Sequence, residues 1–134
     1  MRGSHLIRAF VCAAGIVMVS GAADSPTRQV TWTGWFSDSQ CASARAAAGI
    51  IGPTNPDCAK TCIRKGAAPA FISEQAKAVF QVRDYAAVIH DLGYHLEISA
   101  TLNERTKTLS VLHVNRLSYE GASCGRPRRT GSPR

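Results

Sequence analysis

No run of apolar residues in this chain reaches the roughly 20 that a bilayer-spanning helix needs, which excludes a multi-span membrane protein. Phosphate-cradling glycine loops are absent, as are His-Glu-x-x-His and Gly-x-Ser-x-Gly. Three well-marked chemistries go with them: nucleotide binding, zinc proteolysis and serine hydrolysis. Cys-x-x-Cys is missing, and no strand–helix–strand order precedes the cysteines, so thioredoxin-like redox chemistry has little support. There is no internal repeat. A broad basic face is also missing, although the chain carries a formal net charge of +7. Between residues 24 and 125, ten lysines and arginines stand against nine acidic residues, a net of +1. The excess lies at the two ends, in Arg2 and Arg8 and in Arg126, Arg128, Arg129 and Arg134. Specific nucleic-acid binding is therefore not expected.

What is present begins with a leader. Arg2 and Arg8 precede an apolar stretch over 9–19, and Ser20-Gly21-Ala22-Ala23 follows. That order reads as a signal peptide over 1–23, cleaved after Ala23, with an uncleaved anchor as the alternative. The protein is then exported, periplasmic or secreted, and Cys12 leaves with the signal. Residues 24–29 read as a linker, 30–120 as one domain with an insertion over 38–66, and 121–134 as a disordered basic tail. The tail could make weak contact with anionic surfaces such as lipid or polysaccharide; no other partner is indicated.

The domain is mainly β with short helices. Residues 30–36, Val-Thr-Trp-Thr-Gly-Trp-Phe, alternate and are rich in aromatic and β-branched types, which predicts a strand bent at Gly34. An alanine-rich helix over 41–48 and a loop over 49–56 follow. Asn55 as N-cap, Pro56 at the first helical position, Arg64-Lys65 at the end and Gly66 beyond it punctuate a second helix. Apolar runs over 69–73 and 78–83 form a hairpin, Asp84 caps a helix over 85–92, and alternation over 94–102 and 108–117 gives two last strands. Five strands with a helix between the third and fourth is the order of a small OB-like barrel. An open α+β sheet is the alternative. Trp32, Trp35, Phe36, Phe71, Phe80, Leu96, Ile98 and Val111 are the candidate core. Trp32 and Trp35, three apart, face opposite sides of a regular strand; aromatics at such positions are more often core, with an exposed binding face for sugar or peptide as the alternative for one of them.

Four cysteines remain after the signal: Cys41, Cys58, Cys62 and Cys124. An even number in a small exported chain favours disulfides. Cys58 and Cys62 stand four apart on a helix, where Cβ atoms lie about 5–6 Å apart, against the roughly 3.8 Å that a disulfide requires. They cannot bridge each other. Two pairings stay open: Cys41–Cys62 with Cys58–Cys124, or Cys41–Cys58 with Cys62–Cys124. The first closes a loop of about twenty residues, worth on the order of 3 kcal/mol.

Gly34-Trp35-Phe36-Ser37-Asp38-Ser39-Gln40-Cys41, followed by Cys58-x3-Cys62 and Gly66, resembles a family of small exported bacterial domains of unknown function. The resemblance covers residues 30–117 and implies an OB-like fold without an assigned activity. Members often carry a His shortly before the cysteine pair; this chain has none there.

Three functions follow as expectations. The first is a non-enzymatic binding module stapled by disulfides and holding no cofactor. The second is a thiolate site for Zn or Cu built from Cys41, Cys58 and Cys62, with His90, His95 or His113 to complete it. The third is a thiol redox protein using Cys58, whose place at a helix start favours the thiolate. Asp38 and Ser39 are expected only to bond backbone at the strand end.

Overall fold

A computed structural model describes residues 26–121. The signal segment, Cys12, Cys124 and the basic tail beyond Gly121 lie outside the described residues. The elements run β1 (Thr27–Asp38), α1 (Ser39–Ala47), α2 (Pro56–Arg64), β2 (Pro69–Ser73), β3 (Ala78–Val82), α3 (Tyr85–His90), β4 (Tyr94–Asn103) and β5 (Thr108–Tyr119).

Strand β1 starts three residues before the expected Val30, inside the stretch read as linker, because Thr27, Arg28 and Gln29 pair with Asn103, Leu102 and Thr101 of β4. Local chemistry sets the helix ends. The Asn55 side chain accepts from the Asp57 and Cys58 amides at 3.0 Å each, Pro56 opens α2, and Gly66 leaves it at φ +104°. Asp84 caps α3 through the Ala86 amide. Helix α3 stops at His90 rather than at 92, and Leu92 packs into the core from the turn that follows.

The five strands form one sheet that closes in a ring, in the order β1-β2-β3-β5-β4. All neighbours are antiparallel except β3 and β5, which run parallel over two residue pairs. The open-sheet alternative is thereby corrected. Strand β1 closes the ring because it is long enough to serve two neighbours, β4 over its first part and β2 from Gly34 to Asp38.

Inside the ring lie Val30, Trp32, Phe36, Phe71, Phe80, Leu96, Ile98, Leu102 and Leu109, joined by Ala59 and Ile63 of α2 and Val88 of α3. Val111, placed in the core by its alternation, is only partly buried at the edge of this cluster. Each large side chain removed from water contributes about 1.5–3 kcal/mol. A second, smaller layer lies on the outer face: Trp35, Ala42, Ala70 and Ile72, with Ile51 and Val79 against them. Trp32 and Trp35 do point to opposite sides, but neither is exposed (9% and 7%). The exposed-aromatic alternative is corrected. The outer face of β1 and β2 carries α1 and its loop, so Trp35 is covered by the insertion rather than by solvent.

Gly34 is where β1 passes from one neighbour to the other. A Cβ there would lie 1.9 Å from the Ile72 carbonyl oxygen, and φ is +157°. Gly34→Ala must push β2 away or break the pairing. It is expected to lower stability by about 2–4 kcal/mol, read as a fall in the urea midpoint at unchanged slope.

Candidate functional site

The last residue of β1, Asp38, is fully buried. It pairs with Pro69 of β2 and is followed at once by α1. Its Oδ1 accepts from the amides of Gln40 (3.1 Å) and Cys41 (2.9 Å), the capping role expected for it. Its Oδ2 is also buried and has no N–H or O–H partner among the described residues; the carboxylate also meets the Cys41 thiol, a weak donor. Beside it Ser37 Oγ and Thr54 Oγ1 share a 2.6 Å hydrogen bond that ties the loop before α2 to the strand.

Two cysteines converge on this carboxylate. Cys41 comes from the first turn of α1 and Cys62 from the last part of α2. One Asp38 oxygen and the sulfurs of Cys41 and Cys62 all lie within 4.8 Å of one another. The backbone fixes this approach: the Ser39 amide donates to Ala68 O (2.8 Å), and the Ala67 amide to Cys62 O (3.0 Å). Both sulfurs are free and half-buried.

Cys58 does not join them. It is exposed and stands outside the cluster, although it shares one cavity of about 350 Å³ with Cys41, Arg45 and Thr54 and another of about 310 Å³ with Cys62 and Thr61. The expected ligand set of Cys41, Cys58 and Cys62 is corrected accordingly, with Asp38 as the third group. Cys58 and Cys62 stand four apart on α2, and of the two only Cys62 belongs to the cluster with Cys41 and Asp38. No histidine among the described residues joins the cluster either; His90 and His113 are exposed on α3 and β5.

Burial pushes the Cys41 thiol up, and the Asp38 carboxylate and neighbouring Cys62 push the same way, to about 11. At pH 7 Cys41 is therefore a neutral thiol, unlike the activated cysteines of redox enzymes. Sequence reasoning missed the second role of Asp38. The signal was the Asp-Ser-x-Cys spacing itself, in which one carboxylate can cap a helix and meet the thiol of its first turn.

His95 belongs to a different arrangement on the outer face. It stacks on Trp35 with ring centroids 5.0 Å apart. Its Nε2 lies 2.8 Å from Glu74 Oε2 and its Nδ1 3.9 Å from Glu120 Oε1, while Trp35 Nε1 donates to Glu120 Oε2 at 3.0 Å. Thr33 Oγ1 also donates to Glu74 Oε2, at 2.5 Å. This network joins β1, the turn after β2, β4 and the end of β5, and no sequence pattern announced it.

Two outcomes follow from these protonation states. At pH 8 alkylation is expected to label exposed Cys58 first and Cys41 last. Asp38→Asn, which keeps the capping oxygen but removes the charge, speeds labelling of Cys41; unchanged order and rates by peptide mass mapping would contradict the Asp38 contact. A raised thiol pKa contributes stability below the ordinary value of 9.0 that fades as pH rises towards 11. Glu74 behaves in the opposite sense. The Thr33 hydrogen bond, opposed by partial burial and aided by His95, holds its carboxyl below 4.5. Its contribution is present above that value and lost as pH falls through the lowered one. Glu74→Gln is expected to cost about 0.5–1 kcal/mol at pH 7, discounted for its partial exposure, and to flatten the acid limb of a stability–pH curve.

Among the described residues no helix is long and apolar enough to cross a membrane. Comparison with family models, with curated proteins and with solved structures finds no match, and what the site does is read from its own geometry.

Proposed function

We propose that this chain is an exported, non-enzymatic, OB-like module that holds a thiophilic metal ion at Asp38, Cys41 and Cys62. One observation carries the reading: a fully buried carboxylate, one of whose oxygens has no hydrogen-bond partner, brings an oxygen within 4.8 Å of two free thiols. A buried acceptor without a partner costs about 1–3 kcal/mol. A cation removes that cost, and two thiolates with one carboxylate oxygen suit Zn²⁺. Cys58, which lines the same cavity as Cys41, is the remaining thiol among the described residues for a fourth position. Arg45, whose Nε is buried without a partner on that cavity wall, offsets the negative charge of the ligand set. The neutral state of Cys41 argues against nucleophilic or redox catalysis.

The OB-like reading rests on the ring order, the parallel β3–β5 pair and the helix between β3 and β4. Export rests on the leader composition over 1–23 and on the resemblance to small exported bacterial domains. A second reading has its own support: the same pair of sulfurs, in an oxidising compartment, is the pair a Cys41–Cys62 disulfide would use. Either link joins α1 to α2, and the metal also takes in Asp38 at the end of β1.

The expected outcome is about one Zn²⁺ per chain after purification without chelator, with thiolate-to-metal absorption when Co²⁺ replaces it. Asp38→Ala, Cys41→Ser and Cys62→Ser abolish loading; Cys58→Ser weakens it. Loading strengthens as pH rises, because the metal must displace the Cys41 proton. A hundredfold excess of metal over Kd raises stability by about 2.7 kcal/mol. A metal-free protein lighter by two hydrogens, with Cys41 and Cys62 refractory to alkylation until reduced, overturns the metal in favour of the disulfide.

A further inference from the structure

The two hydrogen-bonded edges of β3 are not equally occupied. On one side Phe80 and Ala78 pair with Phe71 and Ser73 of β2. On the other, β5 begins only opposite Gln81, and the last contacts are the Gln81 amide to Lys107 O (3.1 Å) and the Arg83 amide to Leu109 O (3.0 Å). Peptide groups alternate sides along a strand, so Val79, two before Gln81, turns its N–H and C=O to the side where β5 has not yet arrived. The β4–β5 turn diverges from β3 there and leaves a cavity of about 370 Å³ in the wall of the ring.

Its lining is chemically divided. The floor is Trp32, Phe80 and Leu102, with the Trp32 and Phe80 rings 4.8 Å apart and tilted by 41°. These are core side chains, none more than 9% exposed, whose edges border the gap. At the rim Arg28 is already engaged, its Nε 2.6 Å from Glu104 Oε1 and its guanidinium 5.9 Å from the Trp32 ring centroid. Lys107, on the same rim, makes no ion pair among the described residues. The cavity thus offers an aromatic floor, an outward-turned backbone amide and one uncommitted cation, within the usual volume range of small-molecule sites.

We infer that this opening is a binding site for a flat, apolar, singly charged organic acid. The ring of such a ligand lies on Trp32, Phe80 and Leu102, and its carboxylate accepts from the Val79 amide beside the Lys107 ammonium. Glu104 is neutralised by Arg28, so the site favours the acid over a neutral or cationic ligand of the same shape. This goes beyond the metal reading and uses none of its residues.

Uniformly ¹⁵N-labelled protein titrated with 2-naphthoate tests it, with 2-naphthalenemethanol and 2-naphthylmethylammonium as neutral and cationic counterparts. Saturable shifts centred on the Trp32, Val79 and Lys107 amides are expected for the acid, weaker ones for the alcohol and none for the ammonium. Lys107→Gln weakens the acid about threefold to fivefold, the usual size of an exposed charge contact, and leaves the alcohol unchanged. Cys62→Ser, which abolishes metal loading, leaves naphthoate binding intact, so the two proposals fail separately. Equal affinity for the three probes, shifts centred elsewhere, or no saturable shift at millimolar naphthoate overturns the inference.

Discussion

Everything in this molecule hangs on one strand serving two neighbours. A twelve-residue β1 pairs with β4 and then with β2, and both partners meet it at Gly34 and Trp35. The two ladders overlap there on opposite edges of the strand, and the Ile72 carbonyl lies where a side chain at Gly34 would begin. Glycine is the sole residue without a Cβ to lose in that collision. Ring closure then has two consequences. It forms an interior for Trp32 and Phe36, and it delivers the end of β1, with Asp38, to a buried place beside β2. The Asp38–Cys41–Cys62 cluster is therefore downstream of a packing constraint four residues earlier.

Elements whose limits depend on neighbouring residues were legible from the chain alone. Asn55-Pro56 and Gly66 bracket α2 because capping and left-handed termination act within a few residues. β2 begins and ends where its apolar run does. Features that depend on a second layer were not. Trp35 looked like a candidate for solvent because alternation distinguishes the two faces of a strand but not what covers them. The return of the insertion across β1 and β2, over Ala42, Ile51 and Ile72, buries it together with the stacked His95 ring. The early start of β1 has the same origin: Thr27 to Gln29 carry no strong strand pattern and are held by a partner some seventy residues away.

The candidate site was half legible for a similar reason. Helix geometry alone forbids Cys58 and Cys62 from joining, and the structure agrees in separating one outward thiol from one inward thiol. Which of them meets Cys41 is a matter of helix rotation, set by Ala59 and Ile63 packing into the core. With those two residues turned inward, both cysteines fall on one flank of α2, Cys62 about 40° nearer the core than Cys58, and Cys62 is half-buried while Cys58 is exposed. Asp38 escaped notice because its capping role is a complete explanation locally; the second oxygen acquires meaning only when α2 arrives.

That second oxygen also discriminates between the states available to the thiols. In the dithiol form Cys41 is held neutral by burial and by the carboxylate beside it, and a thiol is only a weak donor. A Cys41–Cys62 disulfide would gain on the order of 3 kcal/mol by closing a loop of about twenty residues. It would also remove the Cys41 S–H, the weak donor that the Asp38 carboxylate meets in the dithiol form, which offsets part of that gain. A metal ion closes the same loop through its ligands and satisfies the oxygen as well, at the cost of displacing a tightly held proton. The arrangement is thus better matched to a cation than to a covalent bridge, and the redox poise and metal supply of the compartment set which of the two states it occupies.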